Sequence, residues 1–311
     1  MRPDLPPIPA LANGTVCTVG TFDGVHRGHR LLLERLAAAA RARGLPSVLV
    51  TFAPHPLQVV NPAAAPPLLT VGVEKTECLA DSPLDYVVVL PFTRTLAAYD
   101  ADRFVDLVLR ERLGLRHLLI GYDHGFGRGR SGDVAVLQAL GAARGFGVEV
   151  VPAVEGGDGR PISSTSIRRA VAGGDLDRAA DGLGRRYAVA GTVVPGVGRG
   201  RDLGFRTLNI ALPDPHKLLP PDGVYAVRVQ TRGGAIGGMM NLGARPTFGE
   251  TDRTIEVHGF DIAGDFYGQW VRVDLLARLR ETRRFESPEA LVAQLQKDEA
   301  AARRHLKKSP A

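Results

Sequence analysis

Residues 20–29 read GTFDGVHRGH and stand between a short apolar run, Val16 to Val19, and an amphipathic segment from about His29 to Arg43. A buried strand that turns at once into a helix opens an α/β unit. Gly20, Gly24 and Gly28 let the backbone take positive φ or approach a ligand closely. His26 and His29, three residues apart, fall at the helix start. There, unpaired backbone N–H groups and a partial positive charge suit a phosphate. A metal pair is the competing reading, but it needs a further ligand, and His55 is the only other histidine in the first hundred residues. Glycine spacing and strand–turn–helix context favour a polyphosphate site, and with it nucleotidyl transfer.

The first half continues the alternation. Strands are expected at Val16–Gly20, Ser47–Phe52, Tyr86–Leu90, Leu118–Gly121 and Val148–Val151, and helices over about 29–43, 72–81, 101–113 and 133–144. Short apolar strands between helices imply a doubly wound parallel sheet, its strands buried on both faces. Ligands bind beyond the carboxyl ends of such strands, where the strand order reverses, and GTFDGVHRGH follows the first of those ends. Short helices Ser164–Val171 and Asp175–Ala180 follow. Near residue 184 the texture changes to short alternating runs: Tyr187–Val194, Val224–Gln230, Ile236–Leu242, Thr254–His258 and Trp270–Leu276. Glycine and proline turns between them predict a small antiparallel barrel or sandwich. Ser287 to Leu306 then reads as a closing helix, with Ser287 as N-cap and Pro288 at its first position. A length of 311 residues fits two domains, placed at 1–184 and 185–311.

Several classes are excluded. Apolar residues make up 44% of the chain, enough for sizeable cores, but they form no run of about 18, so no membrane span is expected. MRPDLPPIPALANG lacks the apolar stretch of a leader peptide. Cys17 and Cys78 form no CxxC, which suits reduced thiols and a cytoplasmic protein. The net charge of +6 is spread over loops beside glycines, a pattern for small anionic ligands rather than for nucleic acid.

Three further segments stand at strand ends or helix starts. In TFAPHP, 51–56, two prolines fix how His55 projects. In GYDHGFGRGRSGD, 121–133, glycines with Arg128 and Arg130 suit an anion- or adenosine-binding loop. In ISSTSIRR, 162–169, a run of hydroxyls opens a helix, with Arg168 one turn on. Together these segments resemble the adenylyltransferase module of the bacterial bifunctional riboflavin kinase/FMN adenylyltransferase (FAD synthetase) family, whose module is an α/β doubly wound, Rossmann-like nucleotidyltransferase domain. The matching positions are Gly20, Phe22, Asp23, Gly24, His26, Gly28 and His29; Phe52, Pro54, His55 and Pro56; Gly121, Asp123, Phe126 and Gly127; and Ile162, Ser163, Ser164, Thr165 and Arg168. Ala53 stands where the family often has a polar or acidic residue. The resemblance implies that the FMN phosphate attacks the ATP α-phosphorus and pyrophosphate leaves. His26, His29 and Arg168 then carry the catalysis. Gly20, Phe22, Asp23, Gly28, Asp123, Ser163, Ser164 and Thr165 hold the nucleotide and its phosphates, and His55, Pro56 and Phe126 hold the flavin.

The second half opens with GTVVPGVGRGRDLGFRTLNI, 191–210, whose glycines, including Gly198 and Gly204, and arginines suggest a phosphate cradle without Walker spacing. Thr207 and Asn209 share a strand face, either as polar-out alternation or as oxygen donors to Mg²⁺ and phosphate. With DGVYAV, NLGARPTFGE and IEVHGFD, these residues resemble the family's riboflavin kinase module, a six-stranded antiparallel barrel. There, a Thr and an Asn in a PTAN motif handle Mg-ATP and a Glu is the general base. Carried over, Thr207 and Asn209 take the metal and phosphate role and Glu256 the base role. This chain departs by reading Arg206-Thr207-Leu208-Asn209, and by having Thr282 where the family commonly has Glu. The implied activity is riboflavin to FMN and then FMN to FAD, each with Mg-ATP. The alternatives are an adenylyltransferase whose kinase module is weak or inactive, and a non-catalytic flavin- or nucleotide-binding regulator.

Overall fold

The computed structural model describes residues 11, 13–123, 125–196, 207–244, 253–262 and 264–308. It divides into two compact units, Met1–Pro67 with Lys75–Ser164, and Leu68–Glu74 with Thr165–Ala311.

The first unit is built on five strands: β1 (Thr15–Val19), β2 (Ser47–Ala53), β3 (Tyr86–Pro91), β4 (Leu115–Gly121) and β5 (Gly147–Val151). Their order is β3-β2-β1-β4-β5, with every pairing parallel. The order reverses between β1 and β4, so the loops after these two strands open at the same crevice. Every residue of β1 is buried, as the central position demands. Alternate side chains feed two cores. Val16, Leu49 and Leu119 meet Leu32, Leu33 and Leu36 on one face, while Cys17, Val48, Val50 and Leu118 meet Phe104, Val108 and Leu137 on the other. Each such side chain contributes about 1.5–3 kcal/mol on burial. The edge strand β3 departs from the expectation of strands buried on both faces, because an edge lacks a neighbour: Tyr86, Val87 and Val89 are partly exposed.

The helices around this sheet are α1 (Arg27–Arg43), α2 (Pro56–Val60), α3 (Val73–Ala80), α4 (Arg94–Ala97), α5 (Ala101–Phe104) and α6 (Val134–Arg144). Helix α1 ends on Gly44 at φ 63°, the left-handed stop that glycine takes without strain. Residues 101–113, expected as one helix, instead form α5 and a wider π turn at Val105–Arg110. Glu111 N–H donates to Asp106 O, five residues back, at 2.9 Å. Packing selects this turn by burying Val105, Val108 and Leu109 together, and no glycine or proline announces it.

The second unit contains α7 (Ser164–Ala172, from its second residue on), α8 (Leu176–Leu183), a closed antiparallel barrel and α9 (Pro288–Lys308). The barrel strands are β6 (Ala188–Val194), β7 (Thr207–Ala211), β8 (Gly223–Thr231), β9 (Gly234–Ala244), β10 (Arg253–Gly259) and β11 (Trp270–Arg280), in the order β10-β7-β6-β11-β8-β9. Closure leaves no open sheet edge. Tyr187, Val189, Tyr225, Val227, Met240, Val257 and Val273 are buried. Helix α9 packs through Ala302, Leu295 and Leu306 onto Val224, Ala226, Met239 and Leu276. Arg280 clamps Asp298 of that helix through Nε and Nη2 at 2.8–3.1 Å.

Residues Leu68–Glu74 belong to this second unit. Leu68 exchanges backbone bonds with His216 and Leu218 at 2.7 and 2.8 Å. Glu74 accepts from Ala190 N–H at 2.7 Å and from Lys217 Nζ at 2.7 Å, and the Lys217 and Glu74 side chains are 1% and 5% exposed. Lys217 also donates to Leu69 O at 2.7 Å and lies 4.7 Å from the Tyr187 ring centroid.

Candidate functional site

In the first unit, the loop after β1 delivers both histidines to the start of α1. His26 is its N-cap, its Nδ1 accepting from His29 N–H at 3.3 Å. The two imidazoles stack with centroids 3.7 Å apart, and Phe22 lies 4.5 Å from the His29 ring. The loop is strained to make this arrangement. Phe22 and Val25 sit at φ 49° and 39°, left-handed values that a β-branched residue such as valine rarely adopts. Both side chains are almost wholly buried, so the core holds them there. Two glycines serve the rings directly. A Cβ on Gly20 would lie 2.9 Å from the Phe22 ring, and one on Gly28 would lie 3.2 Å from the His26 ring.

Burial holds the His29 pKa well below 6.5, reinforced by the neighbouring His26 and Lys75. The ring is therefore neutral at pH 7 and its Nδ1, buried, has no hydrogen-bond partner among the described residues. An anion brought to it would supply the missing charge. Ser164, the first residue of α7, donates from Oγ to Asp23 O at 2.9 Å, so ISSTSIRR is tied to the loop of the first motif. Thr165 and Arg168 follow on α7 as members of the second unit.

The residues expected at the flavin lie beyond β2. His55 caps α2, its Nδ1 accepting from Leu57 N–H at 3.2 Å while its own N–H donates to Gln58 at 2.9 Å. Pro56 is the first residue of that helix. Phe126 stands 5.2 Å from Phe104, which is 6.2 Å from Phe52, so an aromatic wall runs from the β4 loop to TFAPHP. Asp123 is exposed and offers its backbone oxygen to Arg130 at 2.8 Å.

One residue that the sequence did not single out, Lys75, joins this crevice through Thr51 and Phe52. Lys75 on α3 donates to Thr51 Oγ1 at 2.7 Å and to Phe52 O at 3.2 Å. Thr51 passes the connection on, donating to Thr21 O at 3.1 Å. Burial lowers the Lys75 pKa to about 8, opposed by Asp23. A lysine on a short helix normally reads as solvated charge, so no sequence signal marked it.

In the barrel, Thr207 and Asn209 pair directly with His258 and Glu256 across β7 and β10. Directly paired residues share a face. The intervening Leu208 and Val257 are buried, so all four polar side chains lie on the outer face. Gly196 backs this row, because a Cβ there would fall on Asn209 Nδ2. A hydroxyl, an amide oxygen and a carboxylate on one face form a hard oxygen donor set, which fits Mg²⁺. Gly198, Gly204 and Arg206 lie outside the described residues. Near this row, Phe260, 5.7 Å from the His258 ring, lines a cavity of about 830 Å³ together with Ile236, Gly237, Asp261 and Phe266.

Comparison with known proteins settles the family. Residues 8–166 match the model for FAD synthetase, and residues 183–306 match the model for riboflavin kinase. The bifunctional riboflavin kinase/FMN adenylyltransferase of Escherichia coli K12 is 40% identical over 93% of this chain and 92% of its own. The chain belongs to the bifunctional riboflavin kinase/FMN adenylyltransferase family. The family's protein from Pseudomonas fluorescens is also 40% identical, over 93% of this chain and 92% of its own length. A solved structure from Streptococcus pneumoniae, described as a macrolide-efflux protein, is 31% identical, covers 96% of each chain and superposes with a TM-score of 0.84. In this family member no helix among the described residues is long and apolar enough to cross a membrane.

Proposed function

We infer that this chain makes FAD in two steps: the barrel phosphorylates riboflavin to FMN with ATP, and the parallel-sheet domain adenylylates FMN, releasing pyrophosphate. We assign the steps to residues 185–311 and 1–184, working in the cytoplasm. The observation that carries the reading is the stacked His26–His29 pair at the start of α1, with the His29 ring neutral and the loop strained to hold both. Catalysis there is positioning and charge stabilisation without a covalent intermediate. His26 and His29 receive the ATP phosphates. Ser163, Ser164, Thr165 and Arg168 take the departing β/γ end, Gly20, Phe22, Asp23, Gly28 and Asp123 hold the nucleotide, and His55, Pro56 and Phe126 bound the flavin.

In the barrel, Glu256 removes the proton of the flavin's terminal hydroxyl as that oxygen attacks the γ-phosphorus, and the bond from the γ-phosphorus to the β,γ-bridging oxygen breaks so that ADP leaves with the electron pair. Thr207 and Asn209 would hold Mg²⁺, which when bound neutralises phosphate charge, and Gly198 and Gly204 would serve the ATP phosphates. Incubating the protein with riboflavin, ATP and Mg²⁺ and separating the flavins tests the reading. FMN and FAD together are expected. FAD formed only from supplied FMN assigns a silent kinase, and flavin binding without turnover assigns a regulator.

A further inference from the structure

Lys75 is partly buried, and its ammonium has a donor left over after the hydrogen bonds it makes. Its two hydrogen-bond contacts, Thr51 Oγ1 and Phe52 O, are neutral, while the Asp23 carboxylate acts on it through its charge. Lysine has three N–H donors, so one remains after these two. A cation whose hydrogen bonds go only to neutral groups keeps a donor and a charge to offer an incoming anion. Its anchors also define where it stands. Phe52 opens the TFAPHP segment on the flavin side, and Thr51 donates to Thr21 O in the loop that leads to the histidine pair. The ammonium therefore lies between the two halves of the adenylyl-transfer crevice, at the carboxyl end of β2.

We propose that Lys75 is a substrate-binding residue of adenylyl transfer, its remaining N–H engaging the phosphate of the incoming flavin nucleotide. The proposal rests on adenylylation of FMN in this unit. In that step an oxygen of the FMN phosphate dianion forms a bond to the α-phosphorus, and the bond from the α-phosphorus to the β-bridging oxygen breaks. The electron pair leaves with pyrophosphate, and no proton need be transferred. A dianion must thus approach a tetra-anion, and an ammionium on the nucleophile's side reduces that repulsion. The groups facing Lys75 are Asp23 from the β1 loop and His29 from α1, the latter beside His26. Asp23 favours the charged amine and burial opposes it, so the free enzyme loses this charge above about pH 8.

The test compares the full-length protein with Lys75→Met and Lys75→Arg, measuring FAD formation from FMN and Mg-ATP across pH 6.5–9.5. A charged hydrogen bond of this kind corresponds to roughly a 10- to 100-fold rise in KM for FMN in Lys75→Met, with KM for ATP nearly unchanged. The wild-type kcat/KM for FMN falls above about pH 8, and Lys75→Arg abolishes that decline because guanidinium stays charged. The melting temperature of Lys75→Met at pH 7 equals or exceeds that of the wild type, since an apolar group replaces a partly buried charge. A rise in KM for ATP, unaltered kinetics in Lys75→Met, or an alkaline decline that persists in Lys75→Arg overturns the proposal. Wild-type protein that forms no FAD at all refutes the adenylyltransferase reading instead.

Discussion

The two candidate sites are built by opposite means. In the first unit the histidine pair comes from ten consecutive residues, 20–29, and the backbone is strained at Phe22 and Val25 to hold two stacked rings. In the barrel the polar groups come from strands far apart in sequence, and ladder register alone aligns Asn209 with Glu256 and Thr207 with His258. A contiguous motif carries its own geometry, so it can be read from sequence. A register-built site is ordinary polar-out alternation until the pairing is known. The difference also separates what protects each site: buried side chains around the histidines, and the hydrogen-bonded ladder around the barrel row.

The largest effect should come from exchanging the chemistry at one site while leaving the other intact. Glu256→Gln is expected to lower riboflavin phosphorylation by about 10²–10⁴-fold. FAD formation from supplied FMN stays at the wild-type rate. Conversely, His29→Ala is expected to lower adenylyl transfer by about 10²–10³-fold with FMN production unchanged. Assaying both steps in both variants checks this, and a variant that impairs both steps equally would break the separation.

The glycines give a smaller, graded contrast. Alanine at Gly196 must displace Asn209, whereas alanine at Gly28 meets the His26 ring at 3.2 Å and needs only a small adjustment. Gly196→Ala should raise the kinase KM for ATP by roughly 10-fold or more, and Gly28→Ala should change adenylylation only a few-fold.

Acid stability gives the smallest effect. His29 is held below 6.5 in the folded protein, mainly by burial. The unfolded chain therefore binds more protons, so stability is full above pH 6.5 and declines as pH falls below it, by at most about 1.4 kcal/mol per pH unit for one group. Melting curves between pH 5 and 7.5 should show this slope, and His29→Gln should shrink it. A remainder is expected from His117, which burial and then Arg43 also hold low.

Much of this was legible in the chain itself. The alternation that predicts strands at Ser47–Phe52 and Val148–Val151 reflects local burial, which periodicity reports directly. Ser287 and Pro288 announce α9, and the structure has Ser287 Oγ accepting from Ala290 N–H at 3.2 Å. Other features depend on tertiary packing and leave no local trace. The π turn at Val105–Arg110 interrupts an unbroken helical pattern, and Val25 at φ 39° is a residue type that propensity would never place there. Lys75 and Leu68–Glu74 were missed for the same reason. Their meaning comes from partners such as Phe52 and Lys217, which lie far along the chain.

Glu74 has one more consequence. The second unit includes a seven-residue loan from the other half of the sequence, and that loan carries Glu74, whose carboxylate lies 2.7 Å from Lys217 Nζ. Residues 185–311 produced alone would retain every strand yet lose Glu74, and removing one member of a buried pair costs about 3–5 kcal/mol. The kinase fold is thus discontinuous in sequence. Genetic fission of the two activities would keep the Glu74–Lys217 pair only by carrying that peptide along.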